Sequence, residues 1–587
     1  MADEPRIGSI LLADCGTVMT KAVLLDRVAG LYHFVAQGEA PSTADFPWGD
    51  ITIGVRHAVE KIEEVTGRQL FDADGSLISP ELDARHGVDV FAATVSASQP
   101  LRVAVDGLVH DLSVASAVRS AAGTYAVVSS VLSADGVDKS TSIEDHVRAI
   151  YDAAPDVILI VGGTEEGAVY PVLEIVEAVS LACELMADAG VKPRVVYAGN
   201  SRLRQRVATI LSGQVELRMA DNVRPTLDEE HPAGAQAELD ALYVQDKMGT
   251  LPGIEALEAW TCVPVTPTAQ AFGRLIEYLW HLGDPERGVL GVDLGAAHLV
   301  LAAAFPDQLA LNVRSDLGAA FDGEQFLDTH GAGRIMRWLP EPMDADALRG
   351  LFAKRSVRPA SVAQVPREVW AEQALARELI RSALEQAKPG WRPGPAQVRE
   401  DLMPLFDTIV VSGGVLAHAP RPGQAVLLVL DALQPIGIAT LVLDAHGLGP
   451  ALGNVAAVKP LAAVEALDSG SLVNLATVVT PVGQARRGET VLRVRVEYDD
   501  GGALEIEVPC GEVELLPLPM GQEAVLELRP QHHFDVGLGG PSKGGKRRIS
   551  GSLVGIVIDA RGRPLRLPAG AEAAQERMRQ WLWDVGG

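Results

Sequence analysis

Two short stretches of the chain join an acidic side chain to a glycine turn: Asp14-Cys15-Gly16-Thr17 and Asp293-Leu294-Gly295-Ala296-Ala297. Each Asp ends an apolar run of strand length, the position at which open α/β sheets bind ligands. Two such carboxylates facing one another suit the waters of one Mg2+, an ion that keeps much of its hydration and uses one or two carboxylates beside phosphate oxygens. Asp14 and Asp293 are therefore the candidate catalytic and metal-holding pair. Gly16 and Gly295 let the backbone come close to an anion, and successive amides in such turns form a phosphate-binding concavity. The turn residues expected to meet the nucleotide are Cys15, Gly16, Thr17, Gly295 and Ala296. Thr17 adds a hydroxyl and Lys21 a positive charge.

A third motif, Ser412-Gly413-Gly414, follows the apolar residues 407–411. Bare backbone there would let an adenine or ribose lie flat. Each motif by itself also reads as an ordinary turn, and Lys21 as a solvated hairpin charge. The combination and the order carry the nucleotide reading. An internal echo supports it: residues 156–163 (Asp-Val-Ile-Leu-Ile-Val-Gly-Gly) align without gaps on residues 407–414 (Asp-Thr-Ile-Val-Val-Ser-Gly-Gly). Each copy lies downstream of an Asp-x-Gly turn, which points to two duplicated lobes rather than a repeat array.

Other matches are weaker. Residues 540–546 fit the spacing of a P-loop, but Arg547 stands where a Ser or Thr would ligate magnesium, and a strand over 552–558 is predicted to follow rather than a helix. A solvated, mobile basic tip over 543–548 is the simpler reading, with docking of an acidic partner as the alternative. His532 and His533 fall on a predicted strand, where neighbours point to opposite faces, so they are not read as a metal pair.

The elements that would position these residues follow from periodicity. Residues 7–13 and 18–25 form a predicted hairpin about Gly16. Residues 289–293 and 298–304 form a second about Gly295. Helices are predicted over 56–66, stopped by Gly67, and over 171–189, opened by Pro171. A further helix over 268–281 takes Thr268 as N-cap, and the clearest helix spans 367–388. Strands are expected at 156–161, 194–198, 407–411, 426–431 and 440–443. Past residue 480 the pattern alternates in strand fashion up to an amphipathic helix over 571–583. Three domains result: 1–250, 251–470 and 471–587.

Bulk composition narrows the function classes. With 50 basic and 77 acidic residues the net charge is −27, which disfavours nucleic acid and anionic lipid as partners. Four scattered cysteines show no disulfide or metal spacing, consistent with a reduced, cytoplasmic chain. Residues 1–6 lack a secretory pattern, and the greasy window 289–305 contains Asp293 and His298, so it reads as buried strands rather than a membrane span.

Taken together, the motifs resemble the actin, Hsp70 and sugar-kinase superfamily, with a first phosphate motif at Asp14–Thr17, a second at Asp293–Gly295 and an adenosine motif at Ser412–Gly414. More closely, residues 11–17, 158–164, 196–200, 412–423 and 448–454 are similar to the glutamate mutase L family, over roughly 8–470. The resemblance implies an α/β fold of two actin-like, ribonuclease H-like lobes with an interlobe nucleotide cleft, plus a small β-rich C-terminal domain. It implies ATP or ADP with Mg2+ as cofactors. It also implies a chaperone-like accessory protein, a slow ATPase, that assists or reactivates a coenzyme B12-dependent mutase. No cobalamin motif occurs, so cobalamin would sit on the partner. The alanines at 296 and 297 replace residues that usually contact phosphate, and Glu165 and Glu166 place negative charge after the Gly162-Gly163 turn; both weigh against rapid hydrolysis. A non-catalytic actin-like scaffold and a small-molecule kinase of the same fold are the alternatives, and an oligomer is compatible with each.

Overall fold

Alternating apolar residues build the first sheet from the chain's start. The computed structural model describes residues 8–135, 143–394, 401–467 and 472–586; the reading of residues 1–6 lies outside them. Strands β1 (Ser9–Cys15), β2 (Met19–Val28) and β3 (Leu31–Pro41) form an antiparallel meander, and β4 (Val90–Val95) lies parallel to β1. The expected hairpin about Gly16 is present. The helix Ile51–Thr66 connects the meander to β4's side of the sheet, and Gly67 ends it in a left-handed conformation at φ 69°.

The chain forms two compact units. One comprises residues 98–254 and 311–316, and the other holds the remainder. The smaller unit contains β5 (Leu101–Gly107), β6 (Ala126–Ser133), β7 (Val157–Val161), β8 (Arg194–Tyr197) and β9 (Leu217–Met219). All are parallel, in the order β6-β5-β7-β8-β9. This is the 2-1-3-4-5 order of flavodoxin-type sheets. Every residue of β7 is buried, as expected of a central parallel strand with both faces covered. The helix Tyr170–Asp188, with Pro171 in its first turn, packs against this sheet.

In the larger unit, the short β10 (Thr266–Pro267) joins the first sheet parallel to β4, giving the order β3-β2-β1-β4-β10. A second sheet repeats this plan with β11 (Gly288–Leu294), β12 (Leu299–Phe305), β13 (Gln308–Arg314, of which residues 311–314 cluster with the smaller unit), β14 (Phe406–Ser412) and β15 (Gly437–Leu443) in the order β13-β12-β11-β14-β15. β11 and β12 are antiparallel, and β14 lies parallel to both β11 and β15. The two sheets are the cores of two actin-like lobes. The repeat inferred from sequence is therefore real, but one equivalence needs correcting. The strand occupying β14's place in the first sheet is β4; β7, which echoes β14 in sequence, belongs to the smaller unit.

Each lobe's parallel strands lead into a helix, Thr268–Leu282 in one and Gly449–Val458 in the other. The two helices meet almost backbone to backbone: a Cβ at Gly453 would stand 1.8 Å from the Ala271 carbonyl oxygen. Asn454 secures the junction, its side-chain amide donating to the Ala93 carbonyl at 3.0 Å. Thr268 is the first helical residue rather than the N-cap, which is Pro267.

The C-terminal stretch is β-rich, and its strands divide between two sheets. β16 (Val473–Thr480), β19 (Val513–Leu516) and β22 (Ile556–Asp559) extend the large sheet beyond β15. β17 (Thr490–Tyr498), β18 (Ala503–Pro509), β20 (Glu523–Pro530) and β21 (Gly545–Ser550) make a separate antiparallel sheet. Three local expectations are overturned here. Residues 426–431 lie in a helix, Pro422–Leu433. The basic segment is mostly strand β21, with Arg547 bonded to Asp407 at 2.7 Å and Arg548 to Glu523 at 2.6 Å, so it is no mobile tip. His532 and His533 occupy a turn, their rings edge to face at 3.8 Å. Among the described residues no helix is long and apolar enough to cross a membrane.

Candidate functional site

The strand-end residues of the two lobes are built alike. Asp14 on β1 stands in register with Thr94 on β4, and Asp293 on β11 with Ser412 on β14. Thus each carboxylate has a hydroxyl beside it from the neighbouring parallel strand. Thr94 Oγ1 donates to Asp14 Oδ1 at 2.7 Å, and Thr268 Oγ1 donates to the same oxygen at 2.8 Å. Ser412, in register beside Asp293, donates to Asp444 Oδ2 at 3.1 Å.

Asp444, just past β15, completes the constellation. Its Oδ1 accepts the Leu448 amide and its Oδ2 the Gly449 amide, both at 2.8 Å, so it ties β15 to the following helix. Lys21, in register with Asp14 on β2, reaches toward this loop: a Cβ at Gly447 would lie 2.4 Å from its ammonium. Sequence reasoning nominated Asp14, Lys21, Asp293 and Ser412 but missed Thr94, the hydroxyl role of Thr268, and Asp444. The signal for Asp444 was an Asp directly after a strand, in Asp444-Ala445-His446-Gly447. Its glycine comes one residue later than an Asp-x-Gly turn requires.

Electrostatics make the carboxylates reluctant anions. Asp293 is pushed up to about 7, first by burial and then by the charges of Asp14 and Asp444, with Lys21 and Ser412 opposing. Asp14 is also raised by burial, against the bonds from Thr94 and Thr268. Both keep a small accessible face. Lys21 is the cation facing these carboxylates. Among the described residues no group of three or more His, Cys, Asp or Glu could cage a metal directly. The carboxylates nevertheless feel one another, and that combination fits a hydrated Mg2+ held through its waters.

The two turns share a hydrogen-bond plan. The Gly16 amide donates to the Met19 carbonyl at 3.0 Å, and the Gly295 amide to that of His298 at 2.8 Å. These amides close the turns, so an anion would meet the amides that follow. Thr17 Oγ1 donates to the Ser96 carbonyl at 3.1 Å, and His298 Nε2 approaches the same oxygen at 3.2 Å. A carbonyl only accepts, so Nε2 carries the proton. Burial pushes His298 down to about 4, keeping the ring neutral near pH 7. Cys15 is buried and its thiol pushed up by burial and by Asp14, leaving its backbone as the part available to a ligand. Ala296 and Ala297 are braced from behind: the Ala320 amide donates to the Ala296 carbonyl at 2.9 Å, and a Cβ at Gly318 would lie 2.3 Å from that oxygen.

Gly413 and Gly414 differ. Gly413 has φ 107°, and a Cβ there would lie 2.0 Å from the Leu294 carbonyl oxygen. Its glycine is required by the close passage of β14's end against β11. A Cβ at Gly414 would meet only His418, at 3.7 Å, so this is the glycine with room beside it. Gly413→Ala should cost about 2–4 kcal/mol, from the strained φ and the backbone clash, whereas Gly414→Ala should change stability by less than about 1 kcal/mol. Urea unfolding of both variants checks this.

Residues 10–470 match the family described as MutL protein. The chain belongs to the MutL protein family. It is 24% identical over 442 residues to Protein MutL of Clostridium tetanomorphum, covering 70% of this chain and 87% of that one. Among solved structures it is similar to a nucleotide-free acetone carboxylase (13% identity, 86% of this chain and 82% of that one, TM-score 0.32). It is also similar to a glycerol dehydratase reactivase (10%, 77% and 100%, 0.30) and to xylulose kinase from Bifidobacterium adolescentis (12%, 79% and 94%, 0.25). The glutamate mutase L resemblance is thus membership, and the MutL match spans both actin-like lobes.

Proposed function

We propose that this chain is an ATP-binding accessory protein that turns ATP over slowly and assists or reactivates a coenzyme B12-dependent mutase in the cytoplasm. MutL family membership supports the accessory role. The single observation that carries the nucleotide reading is the convergence of strand ends: Ser412, in register with Asp293, donates to Asp444, and Lys21, in register with Asp14, reaches the loop that follows Asp444. Asp14 and Asp293 would hold Mg2+ through its waters, and the ion, when bound, offsets phosphate charge. Thr94 and Thr268 keep Asp14 oriented. The amides after Gly16 and Gly295 would face phosphate oxygens, Lys21 would add a cation, and Ser412 with Gly414 would border the adenosine. Cobalamin belongs to the partner in this reading.

Calorimetric titration with ATP and Mg2+ tests it. Wild type should bind, and Asp14→Asn should bind more than about tenfold more weakly. Absence of binding by the wild type would end the proposal. Ala296 and Ala297, which offer no hydroxyl to a phosphate, favour a second reading as a scaffold that retains the fold without turnover. That reading requires Asp14→Asn to leave partner binding unchanged.

A further inference from the structure

We propose that a cavity beside Trp338 binds a small organic carboxylate with an apolar body. The cavity measures about 520 Å3 and lies between the Trp338 turn, the helix Pro366–Ala387 and the start of the helix Ala571–Asp584. This volume is in the range of small-molecule sites. None of its residues belongs to the carboxylate cleft.

The charge balance of its polar wall is uneven. Glu378 is fully buried and saturated: its Oε2 accepts Arg334 Nε at 2.9 Å, and its Oε1 accepts Trp338 Nε1 at 2.6 Å and Arg337 Nη2. Arg381 is left over. Its Nε stands 3.7 Å from Glu378 Oε1, beyond hydrogen-bond reach, and its Nη1 donates to the Asp431 carbonyl at 3.3 Å. Three guanidinium groups therefore surround one buried carboxylate, with exposed Glu385 3.5 Å from Arg334 and its charge also reaching Arg381. Among the described residues, the buried Nε atoms of Arg337 and Arg381 donate no hydrogen bond. Both arginines line the cavity. Burial lowers the Arg381 pKa, Glu378 opposing, so an anion beside it would relieve the desolvated charge.

The remaining walls determine the class of anion. Met336, Leu339, Met343, Leu565 and Leu567 provide an apolar lining, and Trp338 offers a ring flanked by Arg337 and Arg381 at 5.3 and 5.9 Å. A bare phosphate would satisfy the guanidinium groups yet leave that lining wet. A carboxylate on an aliphatic or aromatic body satisfies both, because arginine pairs with carboxylate through planar N–H donors.

The test is calorimetric titration of the full-length protein with hexanoate, hexanamide and inorganic phosphate. Hexanoate should bind, with hexanamide and phosphate each weaker by more than about tenfold. Arg381→Gln should remove hexanoate binding to a similar extent. Ala571→Trp, at an exposed position on the cavity's rim, should obstruct it while leaving circular dichroism and thermal midpoint unchanged. If Arg381→Gln misfolds, Ala571→Trp decides alone. The proposal is overturned if wild type binds no hexanoate at millimolar concentration, if hexanamide or phosphate binds equally well, or if Ala571→Trp binds hexanoate as wild type does.

Discussion

Asp293→Asn is expected to yield a nucleotide-free protein that melts higher than the wild type above about pH 7 and no longer binds ATP with magnesium. The physical basis is a carboxylate placed where its charge is unwelcome. Burial and the charges of Asp14 and Asp444 push Asp293 up to about 7 from an ordinary 3.8. A carboxyl with its folded value raised takes up a proton on folding between those two pH values. The stability it contributes is fully present below about pH 4 and is lost as pH rises through about 7. Asparagine keeps the shape without the charge, so the variant should lack this pH slope. The gain above pH 7 is about 1–2 kcal/mol, reduced by the small accessible face, and is of the kind found when a strained functional charge is removed. Thermal midpoints from pH 4 to 9, with and without Mg2+, provide the check. Mg2+ should raise the wild type only. A variant that melts below wild type at every pH would show that the carboxylate is not held against its preference.

Both Asp-Gly hairpins, and the lobes they head, were legible because a strand-end Asp, a glycine and a second apolar run leave few local structures to choose from. The smaller details were harder for physical reasons. In the helix Pro422–Leu433 every residue from Ala425 to Leu433 is buried, so no polar face marks the helical period, and a short stretch such as 426–431 resembles a buried strand. The echo between 156–163 and 407–414 reflects two central parallel strands under the same demand for Val and Ile, followed by tight turns; that demand arises in both units. β4, the true counterpart of β14, ends at Val95, and Ser96 follows it in place of a paired glycine. Asp444 escaped notice because its partners are the Leu448 and Gly449 amides, and backbone partners leave no side-chain signature. Thr268 was singled out at a helix start, where a hydroxyl ordinarily caps; its hydroxyl instead crosses to Asp14, a partner 254 positions away.

The C-terminal region should prove inseparable from the second lobe's stability, and Asp559→Ala is the substitution that shows it. Asp559 ends β22, fully buried. The Arg561 guanidinium grips it with two bonds, of 2.8 and 2.9 Å, the Arg561 backbone amide donates a third at 3.1 Å, and Arg563 adds one of 2.7 Å. Arg561 also donates to Asp431 at 2.7 Å, and Arg377 to the other oxygen of Asp431 at 2.8 Å. The C-terminal helix closes over this network, with the Trp581 ring 4.6 Å from the Arg561 guanidinium. Burial alone would raise Asp559; Arg561 and Arg563 outweigh it and hold the carboxyl far below its usual range. With its folded value lowered, its stabilisation is present above about pH 4 and lost as pH falls further. Truncation to alanine leaves Arg563 buried with only the Pro435 and Gly562 carbonyls, and Arg561 with Asp431 alone. A charge left unpaired in this way costs about 3–5 kcal/mol. Asp559→Leu combined with Arg563→Leu should cost less than Asp559→Ala alone, because it removes one charge of each sign and restores apolar volume. Urea unfolding of the two variants distinguishes the cases, and a double variant less stable than the single one would mean that packing, rather than an unpaired charge, governs this corner of the fold.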